Sequence, residues 1–301
     1  MTMKILRSSV HRILCMALVL TPVLYALTAR AQVLSAMPYG LHQSPINIIN
    51  AGRDPKPLEF GDTTSLKKEL TLTLKNTTGK VWCLQCDKTT VDQRWGSLKL
   101  VPPLGSKIQI WYGGESYTLL EFHFHAPAEH LVSGRLTEME AHYVFMKDNG
   151  ATCGPDTLLV IAQRITESKV NKPNAMLNKI FGQDVELPIN YNSHVPDVTG
   201  YKISDVLGDL HTQSSYRYPG SLTAPTDDLK CPNPPGNPSQ QLASGFLPEV
   251  VSWVVLLPEI EMSEGQIARF QKLFPNGDAR GPQALHPDVR RVMLAVPSLP
   301  Q

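Results

Sequence analysis

Glu121-Phe122-His123-Phe124-His125, followed by Glu140-Ala141-His142, decides how this chain is read. Both stretches lie in runs that predict β-strands, Tyr117 to His125 and Met139 to Met146. Residues two apart on a strand share a face, so His123 projects with His125 and Glu140 with His142. On neighbouring strands the three imidazoles would meet around one divalent ion and leave a fourth position open. Three protein ligands and an open position describe a catalytic zinc; structural zinc usually takes four protein ligands, many of them cysteine.

Working outward, short β patterns recur between Gly, Pro and Asn/Asp clusters: Leu70 to Leu74, Ser97 to Val101, Lys107 to Tyr112, Leu158 to Ile165 and Val250 to Leu257. Helices are few, over Asn174 to Phe181, Ile203 to Leu210 and Ser263 to Phe274, the last with Ser263 as N-cap. Many strands with peripheral helices predict a mainly β domain built on a large, mostly antiparallel twisted sheet, not βαβ units.

The first 31 residues read differently. Lys4, Arg7 and Arg12 precede the apolar run Ile13 to Leu27, and Ala29-Arg30-Ala31 follows. A basic head, a short apolar stretch and a small-x-small site predict a secretory signal cleaved before Gln32, with residues 32–301 as the mature domain in the periplasm or outside the cell. The run is short for a membrane span and contains Pro22, so no stable anchor is expected. Without that segment, 24 basic residues against 27 acidic ones leave a net charge of −3. Such a balance does not suggest nucleic acid or an anionic membrane as partner.

Five cysteines become four once Cys15 is removed: Cys83, Cys86, Cys153 and Cys231. An even count in an exported chain favours disulfides, with three pairings open. Cys83 and Cys86 form a Cys-x-x-Cys, but in a strand-like stretch without the helix start that activates a redox thiol.

Five ordered motifs carry a resemblance. They are Gln43-Ser44-Pro45-Ile46-Asn47-Ile48; the histidine segments with Glu129-His130; Tyr218-Pro219-Gly220-Ser221-Leu222-Thr223-Ala224-Pro225; Val251-Ser252-Trp253-Val254-Val255-Leu256; and Arg280-Gly281-Pro282-Gln283. Together they resemble the α-class carbonic anhydrases over about residues 38 to 295. The resemblance implies that His123, His125 and His142 bind Zn²⁺, and that zinc-bound hydroxide converts CO₂ to bicarbonate and a proton. It makes Glu121 the support of His123 and Glu140 the support of His142. It makes Thr223 and Glu129 the gate, in which a carboxylate that only accepts forces the threonine hydroxyl to donate. Val144, Val160, Leu222 and Trp253 would line the apolar wall for CO₂, and sulfonamides or anions would inhibit.

Departures bear on that picture. Family members commonly carry a glutamine where Glu121 stands, so a carboxylate there is expected to add negative charge near zinc. The aromatic N-terminal segment of the family is mostly absent, and Asp227 to Glu249 is inserted after the threonine motif. These two features keep a second reading open: a protein of this fold used for binding, with weak or no catalysis. Lys80 stands where fast members place a proton-shuttling histidine, and a lysine holds its proton at neutral pH. Lys80→His is therefore expected to raise kcat more than kcat/KM for CO₂ hydration in weak buffer. No gain would show that another group, such as His42, carries the proton.

Overall fold

Leucine and aromatic residues placed every second position give the central strand two unlike faces. The computed structural model describes residues 42–54, 59–77, 81–85, 88–91, 96–148, 156–191, 193–225, 247–283 and 292–297, with backbone alone for 81–85 and 88–91. The predicted signal, Lys80, Cys153, Cys231 and residues 227–246 of the inserted loop lie outside the described residues, as do the side chains of Cys83 and Cys86.

In chain order the strands are β1 (Asn47–Ile48), β2 (Gly52–Arg53), β3 (Leu70–Asn76), β4 (Val81–Gln85), β5 (Lys88–Val91), β6 (Leu98–Val101), β7 (Gln109–Tyr112) and β8 (Glu115–His125). They continue with β9 (Leu131–Val132), β10 (Met139–Lys147), β11 (Leu158–Glu167), β12 (Val198–Tyr201), β13 (Ser215–Gly220), β14 (Val251–Leu256), β15 (Ile260–Met262) and β16 (Met293–Ala295). The helices are α1 (Asn178–Phe181), α2 (Ser204–Leu207) and α3 (Glu264–Leu273). One large sheet runs β12-β3-β6-β8-β10-β11-β14-β13-β16-β2, with β7 added to β8 and β15 to β11. Its pairings are antiparallel except β11 with β14, β11 with β15 and β16 with β2, so the sheet is mixed but mostly antiparallel, as expected. No helix among the described residues is long and apolar enough to cross a membrane.

The sheet separates two apolar clusters. Phe122, Phe124, Ala141, Tyr143 and Phe145 face one side, where Phe181 of α1 and Phe270 of α3 cover them. Phe122 stacks on Tyr143 and Tyr201 at 4.8 and 5.1 Å between centroids, and the two buried tyrosine hydroxyls meet at 3.1 Å. The other side holds Ile46, Ile48, Val144, Val160, Val255 and Trp253. The β8–β10 register slips between Val144 and Phe145: Val144 faces Glu121, and Phe145 faces Leu119, leaving Leu120 as the extra residue. This bulge resets the parity of β8, so Tyr117 and Leu119 enter the same core as Phe122 and Phe124.

Two predicted helices are shorter in the structure. Asn174 Oδ1 accepts from the amides of Met176 and Leu177, making a turn of 174–177 ahead of α1. Gly208, at φ +67°, ends α2. β13 was not expected, because Pro219 and Gly220 argue against a sheet interior. β16 pairs only with Ser215 to Arg217, so Pro219 lies beyond that ladder and needs no second partner.

α3 begins as its sequence predicts. The Ser263 side chain accepts from Gln266 N, and Gln266 Oε1 accepts from Ser263 N. Ser263→Ala should cost about 1 kcal/mol in denaturant unfolding. An unchanged midpoint would show that packing of Ile267 and Phe270 alone holds this end.

Candidate metal centre

Strand pairing brings the three histidines together. His142 lies directly opposite His123 in the β8–β10 register, and Glu140 lies opposite His125. Ring centroids stand 4.9 Å apart for His123 and His125, 5.2 Å for His123 and His142, and 4.8 Å for His125 and His142. One candidate ligand nitrogen from each ring lies within 4.8 Å of the other two.

Hydrogen bonds select which nitrogens these are. His123 Nδ1 faces both Glu121 oxygens, at 2.9 and 3.0 Å. His125 Nδ1 donates to the carbonyl of Asp278 at 3.3 Å. His142 Nε2 donates to Glu140 Oε1 at 2.7 Å. A proton held on one nitrogen leaves the other as a lone pair, so Nε2 of His123, Nε2 of His125 and Nδ1 of His142 are the atoms free to ligate. Nε2 of His125 is buried with no hydrogen-bond partner, a costly state for a polar atom. Three neutral nitrogens with one orphaned, buried lone pair fit a Zn²⁺ ion with an open position.

Glu140 is the most tightly held of the supporting carboxylates. Besides His142 it takes His130 N at 2.8 Å and His130 Nδ1 at 2.5 Å. His130 Nε2 meets the Tyr218 hydroxyl at 2.6 Å, and that hydroxyl donates to Ser44 Oγ at 3.2 Å. Burial alone would raise the pKa of Glu140, but His130 and His142 hold it well below the usual carboxylate range. His130, Glu140 and His142 also lie close enough to suggest a second cation site. Their mutual hydrogen bonds already use those atoms, so they form a relay instead.

Glu121 follows the same balance. Burial pushes it up, yet His123 and Lys99 together take it down to about 2. Burial takes His123 down to about 4 against the pull of Glu121, which keeps the ring neutral. Asp278 behaves oppositely: burial raises it to about 7, despite the nearby His125 and the hydrogen bond from Ala126 N to its Oδ1 at 2.9 Å.

The gate residues are both buried, but no hydrogen bond joins Thr223 to Glu129. Glu129 Oε1 takes the amide of Arg280 at 2.7 Å. Its Oε2 has no hydrogen-bond partner and stands 3.8 Å from His125 Nε2 and 3.9 Å from His142 Nδ1. The residues expected to line an apolar wall lie together: Val144, Val160 and Trp253 are register partners across β10, β11 and β14, and Leu222 packs against the same cluster. The Trp253 ring lies 4.9 Å from that of His142, and its Nε1 donates to Ser221 O at 3.0 Å. Gly220 is required here. A Cβ at that position would strike Ser44 Oγ and the rings of Trp253 and Tyr218.

Several participants escaped sequence reading. His130, Tyr218 and Arg280 sit inside quoted motifs without an assigned role, and Asp278 and Lys99 carried no signal beyond their type. Gln43 stitches the far end of the inserted loop to the site: its Nε2 donates to Leu247 O at 2.9 Å, and its Oε1 accepts from Leu247 N at 2.8 Å. Arg280 Nη1 donates to Ser44 O at 2.7 Å, tying the same corner to the loop that bears Glu129's partner amide.

Comparison with known proteins agrees with the geometry. The profile described as eukaryotic-type carbonic anhydrase matches residues 32–228. A carbonic anhydrase from Pectobacterium carotovorum is 24% identical over 258 residues, covering 82% of this chain and 78% of its own length. One from Neisseria gonorrhoeae is 26% identical over 181 residues, 58% of this chain and 55% of its own. In structure, the α-carbonic anhydrase of Thermovibrio ammonificans, solved with the inhibitor sulfanilamide, superposes with a TM-score of 0.58 at 24% identity, over 84% of this chain and 87% of its own. A carbonic anhydrase of Chlamydomonas reinhardtii bound to acetazolamide gives 0.59 at 24% identity, over 85% and 91%. At that identity the superpositions show the shared fold.

Asp278 supplies a pH test in the metal-free protein. Its folded pKa lies above its ordinary 3.8, so the folded state binds the extra proton. Stability should fall as pH rises from about 4 to about 7 and this carboxyl ionises. Asp278→Asn, whose amide oxygen still accepts from Ala126 N, should remove that loss in thermal melts across the same range. An unchanged slope would place the effect elsewhere.

Proposed function

Because this chain belongs to the eukaryotic-type carbonic anhydrase family, we propose that it catalyses the reversible hydration of carbon dioxide to bicarbonate and a proton, at a zinc ion held by His123, His125 and His142. The observation that carries this reading is the convergence of the three unprotonated nitrogens, each set by a hydrogen bond to the ring's other nitrogen. Zinc, when bound, supplies the positive charge that makes solvent nucleophilic near neutral pH.

The chain's own residues do the rest. Glu121, the Asp278 carbonyl and Glu140 fix ring tautomer and angle, so the ligating lone pairs are already aimed. Val144, Val160, Leu222 and Trp253 offer CO₂ an apolar surface beside His142. The Arg280 amide occupies Glu129 Oε1 and leaves Oε2 open as an acceptor for the Thr223 hydroxyl. Donating there leaves the threonine oxygen as an acceptor that orients the attacking solvent toward carbon. Lys80 is a poor proton carrier, so turnover depends on buffer. Sulfonamides and small anions are inhibitors in this reading. The basic head and apolar run of residues 1–31 support export to the periplasm or beyond.

Zinc content and stopped-flow CO₂ hydration test the reading. The mature protein should hold one zinc per chain and hydrate CO₂. Glu140→Ala should lose roughly 10–100-fold in zinc affinity, and His142→Ala more than that, with hydration lost. Zinc without hydration would favour a binding role for the fold. Activity untouched by His142→Ala would refute the metal assignment.

A further inference from the structure

Lys99 lies directly opposite His123 where β6 pairs with β8. Its neighbours Leu98 and Leu100 are fully buried in the core, so strand alternation turns Lys99 to the face that carries the histidines. There its Nζ lies 3.7 Å from Glu121 Oε1. The side chains of Lys99 and Glu121 are 29% and 14% exposed, which places the pair at the solvent side of the cluster. Glu121 in turn holds His123 Nδ1 with both oxygens. The contacts therefore form an unbroken line from a cation, through a carboxylate, to a histidine of the site.

The neighbouring carboxylates are met differently. Arg164 sits opposite Glu140 in the β10–β11 register, and the Arg280 amide is bound to Glu129. The guanidinium of Arg164 itself pairs with Glu259, and that of Arg280 donates to Gln43 and Ser44. At Glu121 the need is specific to this chain, since the resemblance sets a neutral glutamine there. A carboxylate is a stronger acceptor for His123, but alone it would also place a negative field on the ion position.

We infer that Lys99 is a positioning residue of this site, acting through Glu121: it holds the carboxylate across His123 Nδ1 and cancels its charge. The inference rests on the zinc reading above. Lys99 and Glu121 then act as a matched pair, and the centre keeps the anion affinity of a site with a neutral partner on His123.

A double-mutant cycle on the zinc-loaded protein tests this, read by calorimetric titration with thiocyanate and, in parallel, by CO₂ hydration. Lys99→Met leaves the Glu121 charge unopposed and should weaken thiocyanate binding about fivefold, a Coulomb effect across a partly solvated site. Glu121→Gln alone should tighten it by about the same factor. The double variant should return to within about twofold of the parent. Lys99→Arg should keep parental affinity, and Lys99→Gln should repeat the Met result if Met impairs folding. A merely structural role predicts that both single changes weaken binding and that the losses multiply in the double variant; that outcome overturns the inference while leaving the zinc reading intact. Failure of the parent protein to take up zinc would overturn both.

Discussion

The buried carboxylate of Glu140 is the contact on which this centre depends. A charge taken that far out of water is tolerated only when its lone pairs are met. Here two histidine rings and one backbone amide meet them. Because Glu140 accepts from His142 Nε2, it compels Nδ1 to carry the free lone pair, whereas His123 and His125 present Nε2. Because it also binds His130, it extends through Tyr218 and Ser44 to the opening motif and to Ser221, beside the threonine segment. One side chain thereby couples the orientation of His142 to the segment that carries Ser44 and Ser221.

A second constraint follows from the first. Surrounding three imidazoles with Glu121, Glu129, Glu140 and Asp278 concentrates negative charge in low dielectric. Lys99 pairs with Glu121, Glu140 is met by two histidine rings and a backbone amide, and Glu129 by the Arg280 amide. Burial raises the pKa of Asp278, while its carbonyl, which cannot titrate, performs the orienting task on His125.

Legibility varied with the range of the interaction. The histidine and glutamate spacing on β8 and β10 was readable because strand parity is local, and the N-cap of α3 was readable because Ser263 and Gln266 are three residues apart. β13 was missed because its Pro219 is acceptable only where β16 stops pairing, a fact about a strand almost 80 positions away. The bulge at Leu120 was equally hidden, since it exists only against the partner register. Lys99 carries no local signal, because its place beside Glu121 exists only in the pairing of β6 with β8.

The sequence by itself determined which histidines and carboxylates share a strand face and the family to which five ordered motifs point, because each depends on residue type and near spacing. Tertiary structure alone decided which nitrogen of each ring is free, that Glu129 Oε2 is left without a hydrogen-bond partner beside the histidines, and that Lys99 answers Glu121. Those outcomes turn on hydrogen bonds and charges between segments as much as 150 residues apart, such as Ala126 with Asp278. Their energies depend on burial and distance, which no local pattern encodes.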